Sequence, residues 1–144
     1  MIFVNLPVKD LARSTAFYQA IGFEKNPAFS DDNASGMVWS DTIMVMLLTH
    51  DFWRTFTDRA IPDATTSCQV LLAISREDRA AVDAIVEAAS AAGGKADPNP
   101  GQDHGFMYGR SFEDPDGHIW EPSWMDPAVA SGEIMPENYG DQAA

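Results

Sequence analysis

The chain has 144 residues, of which 45% are hydrophobic and 22% are charged. Its 22 acidic and 9 basic side chains give a formal net charge of −13, which repels a phosphate backbone at long range and excludes nucleic acid as the expected partner. No apolar run approaches the roughly 20 residues that cross a bilayer, and the first residues lack a signal-peptide pattern, so we expect a cytoplasmic protein that does not bind membranes.

The first half of the chain predicts the element order βαβββ. Residues 2–8 alternate between two faces, and the aliphatic face should pack against a helix. Asp10 is a suitable N-cap for that helix, which should end at Gly22. Three extended segments then follow, separated by turn residues. They are residues 23–29, 36–40 and 43–49.

The second half predicts the same order again. A strand over 68–74 leads into a helix that begins with Ser75 and Asp78 in the form of a capping box. Gly93 and Gly94 should end this helix. Further strands and a long loop complete the unit. The strands start at 95–96 and continue at 106–113 and 118–124, with the loop at 97–105 and a tight turn at 114–117.

This internal duplication predicts a single α+β domain over residues 1–126, made of two tandem βαβββ modules. Module one covers 1–57, a linker covers 58–66, and module two covers 67–126. Residues 127–144 are expected to form an acidic C-terminal tail, either disordered or an arm on a partner subunit. The single cysteine, Cys68, falls inside an apolar strand pattern and is interpreted as a small buried hydrophobic residue.

A βαβββ unit covers only one face of its sheet with a helix, so we expect the two curved sheets to face each other around a central cavity. Strand alternation then predicts which residues line that cavity. They are Phe3, Asn5, Gln69, Leu71, Gly109, Ser111, Ile119 and Glu121. Val70, Leu72, Phe112 and Trp120 should pack under the helices instead. His104 and Tyr108 lie in or beside the long loop, which we expect to fold over the mouth of the pocket.

Three motifs resemble the vicinal oxygen chelate superfamily. They are Val8-x-Asp10-Leu11, the Phe17-Tyr18 pair leading to Ile21-Gly22-Phe23, and residues 112–121 with the sequence FEDPDGHIWE. That superfamily includes glyoxalase I, bleomycin-resistance proteins, extradiol dioxygenases and fosfomycin-resistance thiol transferases. The resemblance covers residues 3–126 and implies a glyoxalase-like curved mixed sheet.

In metal-dependent relatives, the resemblance implies a divalent ion held by histidine on the first strand of each module and by glutamate on the last strand. In this chain those positions carry Phe3, Gln69 and Glu121. Phenylalanine has no donor atom and an amide oxygen is a weak ligand, so only Gln69 and Glu121 are candidate metal ligands. We therefore favour no cofactor, with Zn²⁺, Ni²⁺, Fe²⁺ or Mn²⁺ as the alternative.

The sequence thus predicts a homodimeric small-molecule-binding protein of the bleomycin-resistance type with a degenerate metal site. The alternative is a divalent-metal-dependent lyase or dioxygenase, like lactoylglutathione lyase or an extradiol dioxygenase, with Glu121 as catalytic ligand or base. The residues do not decide whether the modules pair within one chain or between two chains.

Overall fold

The computed structural model describes residues 1–141, and module one forms a four-stranded sheet covered by a helix. The strand order is β1-β4-β3-β2, with β1 parallel to β4 and the other pairs antiparallel. A short helix follows the last strand. The elements are β1 (Ile2–Val8), α1 (Leu11–Ala20), β2 (Glu24–Asn26), β3 (Ala34–Ser40), β4 (Ile43–Thr49) and α2 (His50–Trp53). The predicted N-cap is confirmed, because the Asp10 side chain accepts a hydrogen bond from the Arg13 N–H.

Module two repeats this arrangement with shorter strands. Its first strand again pairs in parallel with its last, which pairs antiparallel with the strand before it. The elements are β5 (Leu71–Ser75), α3 (Arg79–Ala91), β6 (Lys95–Ala96), β7 (Gln102–Asp103), β8 (Met107–Gly109), β9 (Phe112–Glu113) and β10 (Ile119–Met125). The fold class predicted from the sequence, two tandem βαβββ modules, is confirmed.

Strands β8 and β9 are two parts of one predicted strand, interrupted by a proline on the neighbouring strand. The pairing keeps one register across the gap, with Gly109 opposite Ser123 and Glu113 opposite Ile119. Between them the Arg110 N–H donates to the carbonyl oxygen of Pro122 at 3.2 Å. Proline has no N–H to return a second bond, so the ladder weakens at this point.

Three details of module two differ from the sequence prediction. Strand β5 begins at Leu71, because its partner β10 begins only at Ile119 and offers no pairing to earlier residues. Cys68 and Val70 are consequently exposed, so the predictions that they are buried are wrong. The cap of α3 is Asp78 alone, whose carboxylate accepts the Ala81 N–H at 2.7 Å.

The two modules share one hydrophobic core through their helix-bearing faces. The aromatic ring of Phe17 on α1 lies 6.2 Å from that of Phe112, and Tyr18 lies 6.0 Å from Trp120. All four side chains are almost completely buried. The residues predicted to line one central cavity are divided in the structure between a cleft on module two and a cleft at the module junction.

The tight turn of module two, residues 114–118, fastens the modules together. The Asp116 carboxylate accepts the Lys9 backbone N–H at 2.9 Å and the Ser14 hydroxyl at 3.2 Å. A ring nitrogen of His118, Nε2, lies 2.9 Å from the carbonyl oxygen of Pro7. Asp114 accepts the hydroxyl of the buried Tyr18 at 2.8 Å. The turn belongs to the motif at residues 112–121, so this motif of the superfamily resemblance has a structural role in the chain.

The tail packs against its own chain as far as residue 141. It contains a short helix, α4 (Pro127–Ala130), and a 3₁₀ turn at Pro136–Asn138. The Tyr139 hydroxyl donates to Asp126 at 3.0 Å, and its ring lies 5.6 Å from that of Phe106. Residues 142–144, the end of the predicted tail, lie outside the described residues. No helix within residues 1–141 is long and apolar enough to cross a membrane.

Candidate functional site

The uncovered face of module two carries a cleft of about 480 Å³ around Glu121. Glu121 lies on the central strand β10, directly opposite Ala73 on β5. Its neighbours along the chain, Trp120 and Pro122, are buried on the other side of the sheet, so strand alternation directs Glu121 into the cleft. The remaining lining residues come from strands β5, β7, β8 and β10, from the loop before β7 and from the link between β8 and β9. They are Leu71, Ala73, Asn99, Pro100, Gly101, Gln102, Met107, Gly109, Arg110, Ser111, Pro122 and Ser123.

A loop is held in place at the rim of this cleft. The backbone N–H of Asn99 donates to the Ser111 hydroxyl oxygen at 3.1 Å, and that hydroxyl donates to the Asn99 carbonyl oxygen at 3.2 Å. The Asp97 N–H donates to the Ser111 carbonyl oxygen at 2.8 Å. Ser111 is therefore committed to positioning the loop, and it faces the cleft without offering a free hydroxyl proton.

Arg110 contributes to the lining, but its charge is engaged elsewhere. Its guanidinium pairs with Asp97 at 2.6 Å, Asp83 at 3.0 Å and Glu87 at 3.1 Å. The hydrogen bond from Arg110 holds the pKa of Asp97 below its usual value. Arg110 therefore forms a structural ion-pair network beside the cleft.

Of the described residues, Glu121 is the only acidic one that lines the cleft. Among residues 1–141 its carboxylate receives no hydrogen bond and forms no salt bridge. The cleft therefore presents one uncompensated carboxylate, half-buried, against apolar and neutral polar surroundings. Such a group suits a ligand that brings a hydrogen-bond donor.

The structure places the other predicted pocket residues in two further regions. Ile119 lies on the same face of β10 as Glu121, whereas Phe3 and Asn5 lie on the uncovered face of module one. Gln69 joins Asn5 in a separate cleft of about 200 Å³ between β1, the linker and the turn of module two. The two candidate metal ligands, Gln69 and Glu121, therefore line different clefts.

His104 and Tyr108 do not line the Glu121 cleft either. Tyr108 has the same alternation as Phe112 and faces α3, where its hydroxyl donates to Asp83 at 2.7 Å. The His104 ring stacks on Phe106 at 5.9 Å, in the turn between β7 and β8. The sequence interpretation assigned Tyr108 to the pocket mouth although it lies within the predicted strand over 106–113. In the structure β8 begins at Met107, and strand alternation turns Tyr108 toward α3.

The sequence interpretation omitted several lining residues. Ser123 and Met107 continue the alternation of Glu121 and Gly109, which could have identified them. Asn99 comes from the loop, whose path depends on the bonds to Ser111, and Gln102 comes from β7, which forms by pairing with β8. Neither position has a local sequence signal.

The donor set does not fit a transition-metal centre. Residues 1–141 contain no group of three or more histidine, cysteine, aspartate or glutamate side chains placed to hold an ion. On module one, the strand positions facing away from the helix carry Phe3, Met46 and Leu48, which supply no imidazole or carboxylate. One carboxylate with neutral amides and hydroxyls is a poor site for Zn²⁺ or Ni²⁺.

Comparisons with known proteins agree with the fold. Residues 1–39 match the family model described as bleomycin resistance protein-like N-terminal. A search of curated protein sequences finds no match.

Solved structures cover most of the chain. A hypothetical protein from S. aureus is 24% identical, with a TM-score of 0.73 over 86% of this chain and 92% of its own. A glyoxalase/bleomycin resistance protein/dioxygenase family enzyme from Burkholderia phytofirmans is 20% identical, with a TM-score of 0.70 over 85% and 96%. A glyoxalase-related enzyme from Fulvimarina pelagi is 23% identical, with a TM-score of 0.71 over 86% of each chain. The resemblance inferred from the motifs is thus confirmed: the chain has the fold of the vicinal oxygen chelate superfamily, and its first module matches the bleomycin-resistance-like family model.

Proposed function

We propose that this chain binds a small organic molecule in the Glu121 cleft without a metal ion. The observation that supports this most is the lone, uncompensated carboxylate of Glu121 in a cleft of about 480 Å³. A cleft of this size suits a drug-sized ligand, and a few polar groups among apolar ones are enough to orient it. The ligand would rest on Leu71, Ala73 and Met107 and donate a hydrogen bond to Glu121.

The cleft is open on one side, and we propose that a second copy of the chain closes it. Leu71 on module two is 51% exposed, and Phe3 on module one is 47% exposed. Both lie on uncovered sheet faces. In a homodimer, module one of each copy would cover the Glu121 cleft of the other with an apolar face, which removes exposed apolar area from water. We also propose a cytoplasmic location.

The alternative is a metal-dependent lyase or dioxygenase, which the family names of several neighbours suggest. Only Glu121 supports it in this chain, because the other positions lack metal-binding side chains. Glu121 would act there as a metal ligand or as a base, and both roles would need a divalent metal ion that the side chains of this cleft hold poorly.

The test is a thermal-shift screen of aromatic and amine-bearing compounds against the wild type, Glu121→Gln and Glu133→Gln. A ligand that binds only the folded state raises the melting temperature by an amount that grows with the logarithm of its concentration above Kd. We expect hits whose affinity falls about tenfold in Glu121→Gln, because a charge-assisted hydrogen bond is lost. Glu133→Gln, which alters an exposed acid in the C-terminal tail, should leave these hits unchanged.

A parallel assay addresses the enzyme alternative. Turnover of methylglyoxal and glutathione with added Ni²⁺, Zn²⁺, Fe²⁺ or Mn²⁺, abolished in Glu121→Gln, would contradict the proposal. For the proposed dimer, sedimentation should show that the wild type is a dimer and that Phe3→Glu is a monomer. Two monomers would refute closure by a second copy.

A further inference from the structure

A second cleft, remote from Glu121, collects an unusual share of the positive charge of the chain. It lies between the linker, α2 and the end of β1, with a volume of about 630 Å³, and we call it the linker cleft. Its lining includes Lys9, Arg54 and Arg59, three of the 9 basic residues of the sequence, together with His50. In a chain with a net charge of −13, such a concentration of cations requires an explanation.

Two acids, Asp58 and Asp63, line the linker cleft beside the three cations and neutralise them only in part. The Asp63 carboxylate accepts two hydrogen bonds from Thr65, from its hydroxyl at 2.6 Å and its N–H at 3.0 Å. These bonds, with a smaller contribution from the charge of Lys9, lower the pKa of Asp63. Arg54 contacts Asp51 at 3.3 Å, but both side chains are exposed and such a pair contributes little.

Two of the cations are available to a ligand. Among residues 1–141 the Lys9 ammonium and the Arg59 guanidinium form no salt bridge and donate no hydrogen bond. The Lys9 and Arg59 contacts that do exist come from their backbone N–H groups, to Asp116 and to Thr57. The backbone is thus held in place while the charged ends remain free to pair with an anion.

The linker cleft adjoins the apolar cleft at the module junction, and the two share the lining residue Pro62. A narrow cavity of about 20 Å³ shares Lys9 and His50 with the linker cleft, and shares Pro7 and His118 with the apolar cleft. Pro62 lines all three spaces. The apolar cleft, about 200 Å³, ends at a set of residues from three segments of the chain. They include Trp53, Cys68, Val70 and Leu72.

We propose that the groove formed by these two adjoining clefts binds a small amphipathic organic anion, specifically an aromatic carboxylate. Its carboxylate pairs with Lys9 and Arg59, assisted by Arg54. Its ring lies beyond Pro62 against Trp53 and reaches Cys68. A free inorganic anion would use only the cationic end, and a neutral aromatic molecule only the apolar end, so the joined clefts select a molecule with both parts.

The test is a calorimetric titration of the wild-type chain with 2-naphthoate, with 2-naphthamide as the neutral analogue. We expect saturable binding of the naphthoate and at least tenfold weaker binding of the amide, because one charge-assisted contact corresponds to about a factor of ten or more. Equal binding of the two compounds, or binding of neither, would overturn the proposal.

Variants locate the charge contacts. The double variant Lys9→Gln/Arg59→Gln should weaken naphthoate binding tenfold or more, while Lys9→Arg/Arg59→Lys should retain it. Lys95→Gln, which removes an exposed cation on β6, is the matched control and should have no effect. Glu121→Gln should also leave this binding unchanged, which separates this groove from the Glu121 cleft. An equal loss in Lys95→Gln would mean that only overall charge matters and would refute the site.

The single cysteine reports whether the ring reaches the apolar end. Cys68 is exposed, so a neutral alkylating reagent such as iodoacetamide should modify it in the free protein. Saturating 2-naphthoate should slow this alkylation at least fivefold in the wild type and have no effect in the double variant. An unchanged rate in the presence of bound naphthoate would exclude the proposed position of the ring.

Discussion

The inter-module contact predicts a large loss of stability when one oxygen atom is removed from Tyr18. Tyr18 is completely buried, and its hydroxyl donates to Asp114 at 2.8 Å and accepts from the Trp120 indole N–H at 3.0 Å. Tyr18→Phe keeps the ring and its edge contact with Phe23, at 5.2 Å between centroids. The substitution leaves a buried carboxylate oxygen of Asp114 without a donor and the buried indole N–H of Trp120 without an acceptor.

Each unsatisfied buried group costs about 1 to 3 kcal/mol, so Tyr18→Phe should lower the free energy of unfolding by about 2 to 6 kcal/mol. For a domain of this length, the middle of that range corresponds to a fall in melting temperature of roughly 13 °C. Urea unfolding should show a lower midpoint and an unchanged m-value, because the loss affects only the native state.

Tyr139→Phe is the matched control. Its hydroxyl also donates to a carboxylate, that of Asp126 at 3.0 Å, but at the surface. Its removal should cost about 1 kcal/mol or less. If Tyr18→Phe is no more destabilising than Tyr139→Phe, the turn of module two does not fasten the modules in the way described.

The same hydroxyl makes a prediction at alkaline pH. Burial, with the nearby Asp114 charge, raises the pKa of Tyr18 well above its ordinary value of about 10. The stability linked to this group is therefore present below pH 10 or so and is lost as pH rises through the folded-state pKa. In an ultraviolet titration, one tyrosine should ionise only together with unfolding, and this late component should be absent in Tyr18→Phe. Reversible ionisation of all tyrosines in the folded protein would contradict it.

Two further predictions concern module two. Arg110 lowers the pKa of Asp97, so the stability from this pair is present above the unfolded pKa of about 4 and is lost as pH falls through the folded value. Arg110→Gln should therefore flatten the decline in melting temperature between about pH 5 and pH 3. An unchanged slope would refute the pairing. A Cβ on Gly94 would collide with the Glu113 carbonyl oxygen and the Phe17 ring, so Gly94→Ala should destabilise by about 2 kcal/mol or more in urea. Gly101→Ala, whose Cβ would meet its nearest atom at 3.4 Å, should be nearly neutral, and equal effects of the two substitutions would contradict the close packing around Gly94.

The sequence was sufficient for the tandem modules because their signals are local. Alternation in β1 and β4, the Asp10 cap and the glycines after both helices each depend on neighbouring residues. Strand alternation also assigned Glu121, Ile119 and Phe3 to uncovered faces, where the structure has them.

The arrangement of those faces depends on contacts far apart in the sequence. Tyr18 and Trp120 are 102 residues apart, and no local sequence pattern indicates that they are in contact. The same limit explains why Gln69 was wrongly predicted to lie in a strand. To join β5, Gln69 would need a pairing partner on β10, and β10 begins only at Ile119, opposite Leu71. Tyr108 was misplaced although its strand was predicted, because its alternation, which is that of Phe112, turns it toward Asp83 on α3.

The central claim is that the Glu121 cleft binds an organic ligand without a metal ion, and elemental analysis of protein purified without chelator tests it most directly. The wild type and Glu121→Gln should both contain far less than one equivalent of zinc, nickel, iron or manganese per chain. One equivalent of any of these metals in the wild type, lost in Glu121→Gln, would contradict the claim.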